Sequence, residues 1–205
     1  MNQNTLSKKL GARDFIHIGI FTVIFIVFFM ACVMVMSLSI YSQPFGVALA
    51  AFVSASIYLL LRTKVPKAGA ISLFGVLFAL VMFVMGSGWP IPTSVIVSTL
   101  IAEFVARTGN YQNYVRESIG YAIFMLGTAI GSYLPLLIMK DYYLKISEGN
   151  NVDQEFMSRL LDFINGPYLA LALLTTVLSS ALGAVLARSI FRKHFAKTGL
   201  LREQD

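Results

Sequence analysis

Apolar positions along the chain fall into long blocks separated by short polar breaks, with no sustained two-residue alternation. The first block runs from Phe15 to Ile40 and holds no ionisable residue except His17. A spanning helix needs about 20 predominantly apolar residues, and a rise of about 1.5 Å per residue carries this block across a bilayer with room for tilt. Tyr41-Ser42-Gln43-Pro44 turns the chain, with Pro44 suited to the first turn of the next helix. Further blocks follow at about 45–61, 69–86, 92–106, 118–139 and 167–190. Arg62-Thr63-Lys64-Val65-Pro66-Lys67 ends the second, and Gly86-Ser87-Gly88-Trp89-Pro90-Ile91-Pro92 ends the third, since glycine and proline punctuate helices. The pattern predicts an all-α integral membrane protein: residues 1–205 as one domain, six transmembrane helices in one bundle. Barrel strands would alternate over segments of about 10 residues, which this chain does not do.

Composition agrees. Of 205 residues, 57% are hydrophobic and 13% charged, against about 45–50% and about 25% for a soluble domain. The same figures exclude a disordered chain. The net charge of +6 belongs to membrane orientation and not to nucleic acid, because no basic run is interleaved with stacking aromatics. If the N-terminus is cytoplasmic, 13 of the 16 basic residues lie in cytoplasmic segments, leaving Lys140, Lys145 and Arg159 outside. Basic residues concentrate on the cytoplasmic side, so both termini are expected inside the cell, in a multi-pass plasma-membrane protein. The first block is longer than the about 7–15-residue core of a secretory signal and is expected to stay in the membrane.

The outer surface is uneven. Between the fifth and sixth blocks a loop runs from Lys140 to Gly166, and within it Phe156, Leu160, Phe163 and Ile164 share one helical face. Asn151 and Gln154 fit a capping box, and Gly166 can close the C-terminus. A short amphipathic helix is therefore expected over residues 151–164. It either caps the outer mouth of the bundle or rests on lipid.

Little in the chain can do covalent chemistry. Cys32 is the single cysteine, so neither an intrachain disulfide nor a cysteine metal cluster can form. His17 and His194 fall at the cytoplasmic side, no zinc-binding spacing occurs, and no GxxxxGK[ST] phosphate loop is present. No catalytic residue, intrinsic cofactor or metal site is expected, and no enzymatic activity. Glu103 is the one clear ionisable residue within a span. Such a residue is a functional candidate, but its spacing to Arg107 lets the two pair near the interface. His17 is expected to snorkel toward headgroups.

Two further patterns stand out. Small residues recur four apart at Gly46/Ala50, Ala51/Ala55, Gly75/Ala79, Gly127/Gly131 and Gly183/Ala187, which lets helix backbones approach closely in lipid. The outer ends of the spans are rich in aromatic and methionine residues: Tyr41, Met85, Trp89, Tyr133, Tyr142, Tyr143 and Phe156. Those positions form either an interfacial belt or the wall of an apolar ligand site, with Lys140 at the same level to meet a carboxylate.

Six helices, no ATPase and an outer cap resemble the S component of an energy-coupling factor (ECF) transporter. The opening stretch Lys9-Leu10-Gly11-Ala12-Arg13-Asp14-Phe15-Ile16-His17-Ile18-Gly19-Ile20-Phe21 resembles the start of the Trep_Strep group of such components. The resemblance implies a subunit that captures a micronutrient at the outer face and delivers it through a membrane T component driven by two cytoplasmic ATPases. It implies a small-residue docking face. Many members carry Ala-x-x-x-Ala on the first helix, which this chain lacks, so Gly19 with Ala48, Ala51 and Ala55 of the second span are the expected contacts. Members of the group have been linked to haem. Without an outer histidine, haem as a transported ligand would need a tyrosine or methionine ligand; other vitamins stay open. A stand-alone secondary transporter or channel, and a membrane scaffold subunit, are the competing readings.

Overall fold

The computed structural model describes residues 9–195. Among them every regular element is helical. In chain order they are α1 (Ala12–Met36), a single 3-10 turn (Gln43–Phe45), α2 (Gly46–Val53), α3 (Ala55–Lys64), α4 (Ala70–Val84), α5 (Pro90–Thr108), α6 (Tyr114–Ile138), α7 (Lys140–Gly149), α8 (Gln154–Phe163) and α9 (Gly166–Phe195). Five stretches are long and apolar enough to cross a membrane: Ala12–Met36, Gln43–Lys64, Pro90–Thr108, Tyr114–Ile138 and Gly166–Lys193. The block expected as a third span forms α4, which is apolar but only 15 residues long.

Helix ends differ from the sequence expectation where a side chain intervenes. The Asn113 side chain accepts the Arg116 N–H at 3.1 Å and starts α6 at Tyr114, which brings Glu117 inside the helix. The second span is interrupted at Ser54. There the Ala51 carbonyl accepts the Tyr121 hydroxyl at 2.7 Å, and that bond replaces part of the helix ladder lost at the break.

Helices α1, α4, α5, α6 and α9 follow one another around the bundle, each touching the next or closed by α2–α3, which packs on α1, α6 and α9. The centre is filled by rings. Phe25 meets Phe74, Phe78 and Phe124 at centroid distances of 5.1, 5.6 and 5.8 Å, and Tyr58 lies 4.9 Å from Tyr121. All six are fully buried. Lipid tails are as apolar as these side chains, so helices associate in a membrane through close packing and polar contacts. The α5–α6 pair uses small residues for this. A β-carbon on Gly127 would stand 2.1 Å from Ser98 Cβ, and one on Gly131 2.7 Å from Ser94 Cβ. The Ser94 hydroxyl donates to the Gly127 carbonyl at 2.6 Å.

The end of the bundle opposite α7 and α8 is held by ionised groups. Arg62 donates from Nε to Glu117 Oε2 at 2.8 Å and from Nη2 to Oε1 at 3.0 Å, and Nη1 donates to the Val65 carbonyl at 2.9 Å. The two side chains are 2% and 6% exposed. Arg62, which the sequence places in the run that ends the second span, lies inside α3 with its side chain buried. Glu103 does not pair with Arg107. Its Oε1 accepts the Gly69 N–H at 2.8 Å and its Oε2 the Ser72 N–H at 3.1 Å. It thus satisfies the orphan donors at the N-terminus of α4, and the dipole of that helix favours an anion there. Lys67 bridges to Asp14 at 2.7 Å, and Asp14 also accepts the Gly11 N–H. His17 Nδ1 lies 2.7 Å from the Arg13 carbonyl oxygen, on its own helix.

Breaking a buried pair strands a charge and costs about 3–5 kcal/mol, whereas replacing both partners by apolar groups is often neutral. Glu117→Ala is expected to lower the Tm of the purified protein sharply, and Arg62→Met/Glu117→Leu to recover most of the loss. Equal Tm values for Glu117→Ala and the parent would remove the pair from the stability of the fold.

Candidate functional site

The segment between α6 and α9 forms two helices where one was expected. α7 was overlooked because Lys140, Asp141, Lys145 and Glu148 give it a polar composition. Its buried residues are Tyr143 and Ser147, four apart on one helix face, while Tyr142, Ile146 and the C-cap Asn150 line the side toward the α4–α5 turn. The cap of α8 falls two residues later than expected: Asp153, not Asn151, caps it, accepting the Glu155 N–H at 2.9 Å. Asn151 instead takes a left-handed turn at φ 54. Gly166 opens α9 rather than closing α8.

α7 sits on the turn between α4 and α5. Gly86 and Gly88 have φ of 84 and 73, a region glycine adopts without a steric penalty. They also make room, since a β-carbon on Gly88 would stand 2.7 Å from the Tyr142 hydroxyl and from Ile146 Cδ1. Asn150 Nδ2 donates to the Gly86 carbonyl at 3.1 Å, and the Trp89 N–H donates to the Tyr142 hydroxyl at 3.2 Å. Between turn and helix lies an open cleft of about 350 Å³ lined by Phe83, Gly86, Gly88, Ile146, Gly149 and Asn150. Trp89, 52% exposed, stands beside it with its ring 6.3 Å from that of Tyr142. Met85 is exposed on the same turn.

α8 is anchored separately. Leu160, Leu161 and Ile164 are buried, and Phe156 packs partly buried against the core. Phe163 meets Tyr41 and Tyr168 at 5.0 and 4.6 Å, and the Tyr168 hydroxyl donates to the Tyr41 carbonyl. The expected site residues therefore divide. Trp89, Tyr142 and Tyr143 form one ring cluster, Tyr41 joins another with Phe163 and Tyr168, and no ring contact connects the two among the described residues.

Two expected ligand contacts are engaged by the fold itself. Tyr133 is 4% exposed, and its hydroxyl accepts the Val47 N–H at 2.9 Å at the start of α2. Lys140 stands 3.9 Å from Asp162. Arg159 pairs with Glu155 one turn back on α8. Of the three cations at this end, Lys145 alone has no carboxylate within ion-pair distance among the described residues. The Tyr143 hydroxyl is buried without a hydrogen-bond partner. Burial, with the neighbouring Tyr142, pushes its pKa up to about 12.

The docking residues also separate. No atom stands within 4 Å of a β-carbon built on Gly19, so that position offers open space on α1. Ala48, Ala51 and Ala55 are buried. A β-carbon on Gly183 of α9 would stand 2.8 Å from Ala55 Cβ and 3.1 Å from the Ala51 carbonyl oxygen. The small residues of the second span thus serve packing inside the bundle, a correction to the expected partner face. Among the described residues no group of three histidine, cysteine or acidic side chains could hold a metal ion.

Several long apolar helices, packed by small residues around a ring-filled centre, define a multi-pass integral membrane protein. Residues 12–197 match the family described as hypothetical bacterial integral membrane protein (Trep_Strep), and the chain belongs to that family. No curated protein and no solved structure matches it.

Gly88→Val would force both a strained φ and a clash with Tyr142 and Ile146. It is expected to lift α7 off the turn, seen as faster amide exchange across 140–150 with little change in α5 and α6. Unchanged protection of α7 would mean the Gly86–Trp89 turn does not seat it.

Proposed function

We propose that the protein is the substrate-binding S component of an ECF-type importer. In this reading it captures a micronutrient at the outer face and passes it on through a T component and two ATPases. The observation that carries the reading is the cleft beneath α7, a helix fastened to the α4–α5 turn by two hydrogen bonds and a ring contact. Those contacts are neutral, and the other side of α7 is seated by buried Tyr143 and Ser147, the latter bonded to Gln154. The filled centre supports it too: fully buried rings of Phe25, Phe74, Phe78, Phe124, Tyr58 and Tyr121 leave no polar path along the bundle axis. A stand-alone channel needs such a path, whereas a binding subunit moved by an energised partner does not.

The topology proposed with it has six spans, with α7 and α8 outside and both termini inside. α4 counts as a span despite its length of roughly 22 Å. The Glu103 carboxylate satisfies its first N–H groups inside the protein, so that end need not reach water. The 13-to-3 division of basic residues sets the orientation.

The ligand class that fits is a flat, largely apolar molecule, a vitamin or a porphyrin such as haem, stacked on Trp89 and Tyr142. Lys145 is the cation left to meet a carboxylate. The partner would meet the open face of α1 at Gly19.

Haemin titration and mass spectrometry of small molecules extracted from the purified protein test the site. Trp89→Ala is expected to weaken binding by about 1–3 kcal/mol, the scale of burying one large side chain. Full retention of ligand by both Trp89→Ala and Tyr142→Ala would sink it. Uptake into vesicles is expected only with a T component, two ATPases and ATP; uptake by this protein alone would favour a secondary transporter. Single cysteines placed in 140–166 are expected to react with an impermeant thiol reagent in intact cells. Labelling at 63–68 in their place would reverse the orientation.

A further inference from the structure

The C-terminal end of α9 carries an open surface hollow of about 520 Å³ whose described lining, Val185, Arg188, Ser189, Arg192 and Lys193, comes from one face of that single helix. It lies at the end of the bundle that holds the Arg62–Glu117 pair, because Tyr114, which begins α6, donates its hydroxyl to the Ala184 carbonyl. The same Tyr114 ring lies 5.5 Å beneath the Arg188 guanidinium, so one wall of the hollow is held in place by cation–π contact.

Among the described residues, its cations lack acidic neighbours for an identifiable reason. The three described acids at this end are each committed. Glu117 binds Arg62, Glu103 caps α4, and Asp14 holds Lys67 and the Gly11 N–H. Among the described residues no carboxylate lies within ion-pair distance of Arg188, Arg192 or Lys193. Above the hollow, Leu174, Leu178, Leu182 and Val185 form an exposed ladder on α9, spaced three or four residues apart. An apolar ladder leading into a cluster of cations matches a molecule with an acyl tail and an anionic head.

We propose that this groove binds an anionic phospholipid, its phosphate held by Arg192, Lys193 and the Ser189 hydroxyl, with one acyl chain along the leucine ladder. Arg188, already stacked on Tyr114, sets the inner edge of the headgroup site. Guanidinium and ammonium donors form charge-assisted hydrogen bonds to phosphate oxygens, and basic clusters at the end of a transmembrane helix attract anionic headgroups. The site is independent of the ligand at the opposite end.

The full chain, purified in detergent and incubated with equimolar phosphatidylglycerol and phosphatidylcholine, tests this by native mass spectrometry. Phosphatidylglycerol is expected to stay bound preferentially, and Arg192→Gln/Lys193→Gln to weaken retention by roughly fivefold per charge removed. Lys64→Gln/Arg107→Gln, which removes two cations at the same end outside the groove, is expected to keep the preference. Arg192→Lys, which keeps the charge, reports whether loss reflects misfolding, and is expected to retain lipid. Equal retention of both lipids, equal loss in both double variants, or displacement by millimolar inorganic phosphate as effective as by phosphatidylglycerol would each overturn the proposal, the last by assigning the groove to free anions.

Discussion

Arg62 and Glu117 meet where water does not reach, and two parallel hydrogen bonds fix how α3 and α6 close against each other. In a low-dielectric setting neither group is tolerable alone. The pair therefore ties α3 to the first turn of α6 and, through the third Arg62 donor, holds the chain at Val65. Tyr111 lies 5.7 Å from the guanidinium and covers it from the α5–α6 turn. Glu103 repeats the logic one helix away, spending a carboxylate on backbone donors at the start of α4 so that a short helix can end inside protein.

This use of acids has a consequence for the surface. Among the described residues, every carboxylate at that end is directed inward or into a cap, and none lies within ion-pair distance of Arg192 or Lys193. The same interactions that satisfy the interior leave a surface suited to anionic headgroups.

The opposite end is built on different physics. There the helices are joined by turns and covered by α7 and α8, which hold on through buried Tyr143, Leu160, Leu161 and Ile164, ring contacts and a few neutral hydrogen bonds. Such hydrogen bonds are individually worth about 1 kcal/mol. The two ends of the bundle are thus held by different kinds of contact, buried ionised groups at one and apolar, ring and neutral polar contacts at the other.

Hydropathy alone was enough to place the helices in a membrane, because uncharged blocks of this length have no soluble alternative. The same was true of the close α5–α6 approach, since Gly127 and Gly131 remove the side chains that would hold two backbones apart. Trp89 and Tyr142 were legible as neighbours at one interface. Tertiary structure decided what pairwise chemistry decides. Glu103 sits one turn from Arg107, yet α4 presents unsatisfied N–H groups that a carboxylate satisfies better than a solvated cation does. Arg62 and Glu117 are 55 positions apart, and only the folded chain brings them together. Tyr133 looks like a ligand contact in sequence and is a helix cap in space. Ala51 and Ala55 look like a partner surface and are buried against α9. Hydrophobic pattern is a local property of the chain, whereas the partner of each polar group is a property of whatever backbone or charge the fold places opposite it.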